Sequence, residues 1–288
     1  MKTARSETKP RAAVRRFRIR LPNILGVIGG VIVTTLIVVA IFAPWLAPYD
    51  PKERVARPFL PPGEGHVLGT NDVGQDLLSE LIVGTRVSLM VGIVAATVAL
   101  IIGAAIGVLA GYYPKRLGSV LMRGVDVVLI LPFLPLLIVL AAYLGRSLLN
   151  TIVVIGVLIW AEPARIIRSQ VLSLRSRQYV LAARSMGASD RWTIFRHVIP
   201  RTALLATGSF VRAISGAILL EASLSFLGLG DPIQKSWGST LFWAQTRGAF
   251  LTPAWQWWVL PPGLLIMAAS LGFALIAFAL EERIDPRL

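Results

Sequence analysis

The sequence predicts an all-α integral membrane protein with six transmembrane helices and both termini in the cytoplasm. Three observations carry this. Of the 288 residues, 55% are hydrophobic and only 15% charged, with a mean hydropathy of +0.71. A water-soluble globule carries about 25% charged residues, so this chain has too little polar surface to cover itself and lipid must solvate most of it. Charge-free stretches near the length a bilayer requires, roughly 20 apolar residues, recur along the chain. The 29 Lys and Arg, finally, are divided unevenly between alternate connections.

The spans follow in order. No charge occurs between Arg20 and Asp50, which places span 1 at 24–46 behind a basic cytoplasmic tail at 1–23. Its apolar core is longer than a signal-peptide h-region and no Ala-x-Ala site closes it, so it reads as a retained anchor. Residues 47–86, rich in Pro and acidic side chains, read as an external loop, and the remainder, 87–288, as a five-helix core. Span 2 is expected at 87–111. Asp126 and Arg146 bracket span 3. Arg146 and Glu162 bracket a short span 4 that extends to Ile167, with Arg165 and Arg168 snorkelling toward headgroups. Span 5 covers about 204–229 with two charges inside it, and span 6 about 259–280.

Orientation follows from the basic residues. With the N-terminus inside, only Lys52, Arg54, Arg57, Arg86, Arg146, Lys235 and Arg247 fall outside, and Arg212 alone falls within a span. The others lie inside, as the positive-inside rule requires.

Several side chains carry specific expectations. Trp237, Trp243, Trp255, Trp257 and Trp258 are assigned to an interfacial aromatic belt, with gating of the outer vestibule as the alternative. Asp126 is expected to pair with Arg123, and Glu162 with Arg165, at i,i+3. Arg212 and Glu221 fall on opposite faces of span 5, so each must find a partner on another element or face water. Lining a solute path, together with Ser225, is the functional reading.

Absences narrow the function. There is no P-loop, no H-E-x-x-H, no G-x-S-x-G and no cysteine, and the only histidines are His66 and His197. The chain is therefore expected to bind no cofactor or metal and to be no enzyme by itself. Its net charge of +14 sits in short segments between apolar runs, without interleaved aromatics, which argues against a nucleic-acid partner. A channel, a secondary transporter and the membrane part of a multi-subunit pump remain. Few deep ionisable groups and no clear internal repeat weigh against the secondary transporter.

The segment 168–200 is the most informative. It reads as two helical stretches meeting at Gly187, where a missing Cβ permits a sharp bend. Val171, Leu174, Gln178 and Leu181/Ala182 share one stripe; Trp192, Phe195 and Ile199 share another. Pro200 is expected to end the second stretch before span 5. Small residues at the corner leave room for another protein's backbone.

YVLAARSMGASDRWTIFRHVIP resembles the EAA loop of ABC importer permeases, whose pattern is E-A-A-x-x-x-G-x(9)-I-x-L-P. Ala182, Ala183, Gly187 and Pro200 match, while Leu181 stands where that family has Glu. The resemblance implies that 168–200 is a coupling loop seated on an ATPase subunit through Tyr179, Ala182, Ala183, Ser185, Met186, Gly187, Ala188 and Pro200. LGTNDVGQDLLSELIVGTRVSLMVG is similar to the external signature of dipeptide, oligopeptide and nickel importer permeases. Gly69, Thr70, Gly74, Asp76 and Arg86 agree; Asn71, Gln75 and Glu80 depart, the last two replacing arginines. EASLSFLGLG, Trp237-Gly238 and Asp285-Pro286-Arg287-Leu288 resemble the same family. The resemblance further implies a type I ABC importer permease in a prokaryotic cytoplasmic (inner) membrane, paired as a heterodimer with a paralogous permease subunit. Two ATPase subunits binding ATP and Mg, an extracytoplasmic solute-binding protein, surrounding membrane lipid, and a peptide or similar small solute complete it.

Overall fold

A computed structural model describes residues 21–284 apart from Glu64. The expectations for the basic tail before Leu21 and for Asp285-Pro286-Arg287-Leu288 lie outside the described residues. α1 (Leu21–Leu46) and α2 (Leu77–Tyr112) are long, apolar helices. α3 (Arg116–Ile130) and α4 (Phe133–Leu144) meet at 88°, and α5 (Leu148–Leu158) and α6 (Ala161–Arg175) at 42°. Two short helices, α7 (Gln178–Ser185) and α8 (Asp190–Thr193), lead through a π-helical turn, Ile194–Val198, into α9 (Ile199–Phe226). α10 (Trp237–Thr246) and α11 (Trp255–Trp258) precede α12 (Leu260–Ile284). Counting each bent pair as one crossing gives the six expected spans.

α2 lies at the centre, against α1, α5, α6 and α9. Its closest neighbour is α6, and the reason is a stripe of glycines at every fourth position. A Cβ on Gly103 would come within 2.8 Å of the Trp160 carbonyl oxygen, on Gly107 within 2.7 Å of that of Ala164, and on Gly111 within 2.7 Å of Val171 Cβ. In lipid no hydrophobic force drives helices together, so such small-residue faces supply the contact through dispersion. α1 joins α12 in the same way, since a Cβ on Gly29 would lie 2.6 Å from the Gly272 carbonyl oxygen. Val27, Val31 and Ile41 of α1 stay exposed, as suits a helix bathed in lipid.

Several expectations change. α2 begins at Leu77 rather than Val87, because Asp76 caps it and its first turns are buried by the external segment. Arg86 therefore sits on a helix, not in a loop. The charge-free run assigned to span 3 is two helices. Leu131 precedes Pro132 and takes an extended backbone (φ −61°, ψ 140°), since the proline ring disfavours a helical residue before it. The fourth crossing runs past Ile167 to Arg175, with a bend after Leu158.

Pro200 does not end a helix: the chain is helical from Asp190 to Phe226. The π turn just before Pro200 widens the ladder, so the ring avoids the carbonyl it would strike in a regular helix. The ion pairs also differ. Arg165 reaches across to Asp126 (Nη2–Oδ1 2.6 Å), tying α6 to α3 in place of the two local pairs. Of the five tryptophans, Trp237 and Trp258 are fully buried, so they belong to the core and not to an interfacial belt.

Candidate functional sites at the two membrane faces

At the external face, residues 55–76 fold back on the start of α2. Gly74 takes φ +85°, and a Cβ there would stand 2.0 Å from the Ala56 carbonyl oxygen; only glycine fits. Gly69 meets Leu60 in the same way. The buried Thr70 hydroxyl accepts from Leu60 N (3.0 Å) and donates to the Arg57 carbonyl (2.7 Å). Asp76 caps α2, its Oδ2 accepting from Ser79 N (2.8 Å) and Ser79 Oγ (2.7 Å), while Oδ1 lies 2.9 Å from His66 Nδ1. Gly69, Thr70, Gly74 and Asp76 are thus one clasp. Arg86 stays apart from it, exposed on α2.

The three departures from the family signature also converge. Glu80 is buried and pairs with Lys235 at 2.9 Å; Lys235 Nζ donates to Gln75 Oε1 at 3.1 Å; Asn71 Nδ2 donates to Gln75 Oε1 (2.9 Å) and Glu80 Oε2 (3.4 Å). A cation from the connection between α9 and α10 therefore neutralises a carboxylate at the start of α2. The acid near that helix N-terminus also suits the helix dipole.

Deeper on the same side, Glu221 of α9 accepts from Ser88 Oγ (3.1 Å) and Ser225 Oγ (2.8 Å), and Trp237 N donates to Ser88 Oγ (3.2 Å). Gly238 lies so close to Ala222 that a Cβ would come within 2.6 Å of its carbonyl oxygen. The result is a buried polar link joining α2, α9 and the start of α10.

At the cytoplasmic face, α7 ends on Gly187 at φ +89°. Ala188 N donates to the Ala183 carbonyl (3.1 Å) and Gly187 N to that of Arg184 (3.0 Å), a Schellman closure that a left-handed glycine permits. Ser189 then caps α8 by accepting from Trp192 N. The two helices flank a surface notch of about 480 Å³, lined by Ala183, Met186, Gly187, Ala188, Ser189 and Trp192. Ala182, Ser185 and Met186 are exposed around it, Met186 at 83%.

The stripes read from the sequence are shifted here. Val180, Ala183, Ile194 and Val198 are the buried positions, whereas Leu181, Trp192 and Phe195 face outward. Tyr179 turns inward, with the Arg201 guanidinium 4.0 Å over its ring. Pro200 lies within the long helix, outside the lining of the notch.

Residues 103–288 match the family model described as binding-protein-dependent transport system inner membrane component. This chain belongs to that family. Residues 11–62 of the permease match a second model, the N-terminal TM domain of oligopeptide transport permease C. It is 40% identical over 273 residues to the di/tripeptide transport system permease protein DppC of Pseudomonas aeruginosa, covering 91% of this chain and 88% of that protein. It is 32% identical over 278 residues to the oligopeptide transport system permease protein OppC of Bacillus subtilis (96% and 89% covered). With the glutathione transport system permease protein GsiD of Pectobacterium atrosepticum it shares 35% over 278 residues (95% and 90%). The permease is a multi-pass inner-membrane protein of the type I importer fold.

Of the three residues expected on the solute path, Arg212 of the permease is the exposed one. It pairs with Glu281 of α12, and Gly208 makes room for the pair, since a Cβ there would lie 2.7 Å from Glu281 Cγ. Arg212 also lines a cavity of about 210 Å³ with Glu162 and Ser209. Glu221 and Ser225 are instead buried within the permease, and Ser225 borders a cavity of about 170 Å³ beside Arg146 and Asp231. Sequence reasoning missed Lys235, Glu281 and the tyrosine–aspartate cluster discussed below. It also passed over the Gly103-Gly107-Gly111 stripe, which stands in the sequence as Gly-x3-Gly-x3-Gly.

Proposed function

We propose that this permease subunit forms half of the translocation path of an ATP-driven importer for peptides or a similar small solute. The exposed notch at Gly187 carries this reading. It marks an exposed helical corner with small residues, Ala183, Gly187, Ala188 and Ser189, on which the loop can seat closely against an ATPase subunit. In this reading the chain hydrolyses nothing. Two partner ATPases bind ATP and Mg, a paralogous permease completes a heterodimer, and a solute-binding protein delivers cargo to the external clasp. The relatives named for dipeptide, oligopeptide and glutathione transport support the solute class.

Transport is then a population shift between inward- and outward-facing states, driven by ATP binding on another chain. Arg212, with Glu162 beside it, supplies charged groups to the inner part of the path. The test is a pull-down from the native host with this chain tagged. A second permease and P-loop ATPases are expected with the unsubstituted chain. Gly187→Trp places a bulky side chain in a left-handed position at the notch and should abolish ATPase recovery while leaving membrane insertion intact. Full ATPase recovery with Gly187→Trp would move the docking site elsewhere.

A further inference from the structure

The coupling corner is tied to the central helix by one polar cluster. Asp190, the first residue of α8, follows the Gly187 bend directly. Its Oδ1 accepts a hydrogen bond from the Tyr112 hydroxyl at 2.8 Å, and its Oδ2 one from the Tyr113 hydroxyl at 3.2 Å. Both phenols stand at the cytoplasmic end of α2, edge to face, with ring centroids 5.0 Å apart. From the far side of the corner, Arg184 Nη2 approaches Asp190 Oδ1 at 3.7 Å, and its guanidinium lies over the Tyr112 ring at 5.6 Å. One carboxylate thus joins α2, α7 and α8. The Tyr113 phenol is pushed above its ordinary value by burial and then by the Asp190 charge.

The other end of α2 makes this consequential. α2 is one helix of 36 residues, capped outside by Asp76 and clasped there through Glu80 and Lys235. At 1.5 Å per residue it is a rod roughly 54 Å long. Apolar contacts between Ile194 or Val198 and Val108 are non-directional and tolerate sliding. Hydrogen bonds to an ionised carboxylate are directional and stronger than neutral ones.

We propose that Asp190, held by Tyr112 and Tyr113, is the positioning residue that transmits movement of the coupling corner to α2 and so to the external clasp. The inference rests on the ATPase-docking reading above. It assigns to the cluster a role in coupling rather than in docking, because neither tyrosine lines the notch.

The experiment uses the whole transporter, with its partner permease, ATPases and binding protein, in proteoliposomes. Tyr112→Phe/Tyr113→Phe removes both hydroxyls and keeps both rings; Asp190→Asn keeps the shape and removes the charge. ATPase co-purification and ATP hydrolysis should stay near the unsubstituted level. Solute taken up per ATP should fall by about fivefold or more, the low end of an ordinary coupling between sites. Asp190→Glu, which keeps the acceptor, should retain part of the coupling. An unchanged uptake-to-ATP ratio in the double variant overturns the proposal. So does a loss of uptake that only tracks loss of assembled complex, since that makes the cluster structural. Failure of the unsubstituted chain to recover any ATPase sinks the docking reading itself, a separate outcome.

Discussion

Lys235 shows what a single side chain decides. Glu80 is 1% exposed at its side chain and Lys235 only 18%, so the pair is largely removed from water. Deleting one partner of such a pair leaves an uncompensated buried charge, at a cost of about 3–5 kcal/mol, while replacing both by apolar groups is often neutral. Lys235→Met should therefore lower the melting temperature of the purified permease clearly, and Glu80→Met/Lys235→Met should recover most of the loss. Equal melting of all variants in a double-mutant cycle would remove the pair from the account of the external clasp. The sequence showed that Gln75 and Glu80 depart from the family signature. The partner that makes the departure tolerable lies some 160 positions along the chain, beyond any local pattern.

Helix contacts depend on shape more than on polarity. α2 and α6 approach closely because Gly103, Gly107 and Gly111 present backbone, not side chains, to Ala164, Ile167 and Val171. Adding two methyls and a Cβ in Gly107→Val would drive atoms into the Ala164 carbonyl, since the Cβ alone stands 2.7 Å from it. Overpacking of this kind costs about 1–3 kcal/mol. The variant should show reduced monodisperse yield and a lower melting temperature, whereas Gly30→Ala, with nothing within 4 Å of its Cβ, should behave as the unsubstituted chain. Matching stability of the two variants would mean that α2 and α6 do not rely on the stripe. The bend between α3 and α4 has a local cause, since the Leu131-Pro132 step is written in the sequence. Hydropathy averaged across that step hides it. The π turn before Pro200 likewise turns an expected stop into a continuous helix.

As a whole, the molecule puts its two faces under the control of one central helix. The external clasp fixes the outer end of α2, the tyrosines and Asp190 fix the inner end, and Glu221 with Ser88 braces α2 against α9 between them. In the proposed coupling, a push at the corner travels along α2 to the external clasp. Uptake by the assembled system should stop when ATP is depleted and persist when a protonophore collapses the ion gradient. The opposite pattern would favour a gradient-driven transporter. Few deep ionisable groups support the ATP-driven expectation: Glu221 is enclosed, and Arg212 is already paired with Glu281.

The sequence alone determined the solvent and the number of crossings, because hydropathy is a sum over local residues that needs no partner. It also located the corner at Gly187, since a left-handed backbone leaves a glycine in the text. It could not tell which face of each stretch is inside. Val180 and Glu221 turned inward, Leu181 and Trp192 outward, and Asp126 chose Arg165 over Arg123. Those choices depend on which helix lies alongside, and only the tertiary structure brings α3 to α6, α9 to α12 and Tyr112 to Asp190. Contacts between residues far apart in the chain carry no local periodicity, so the side chains that join the two faces became visible only once the helices were assembled.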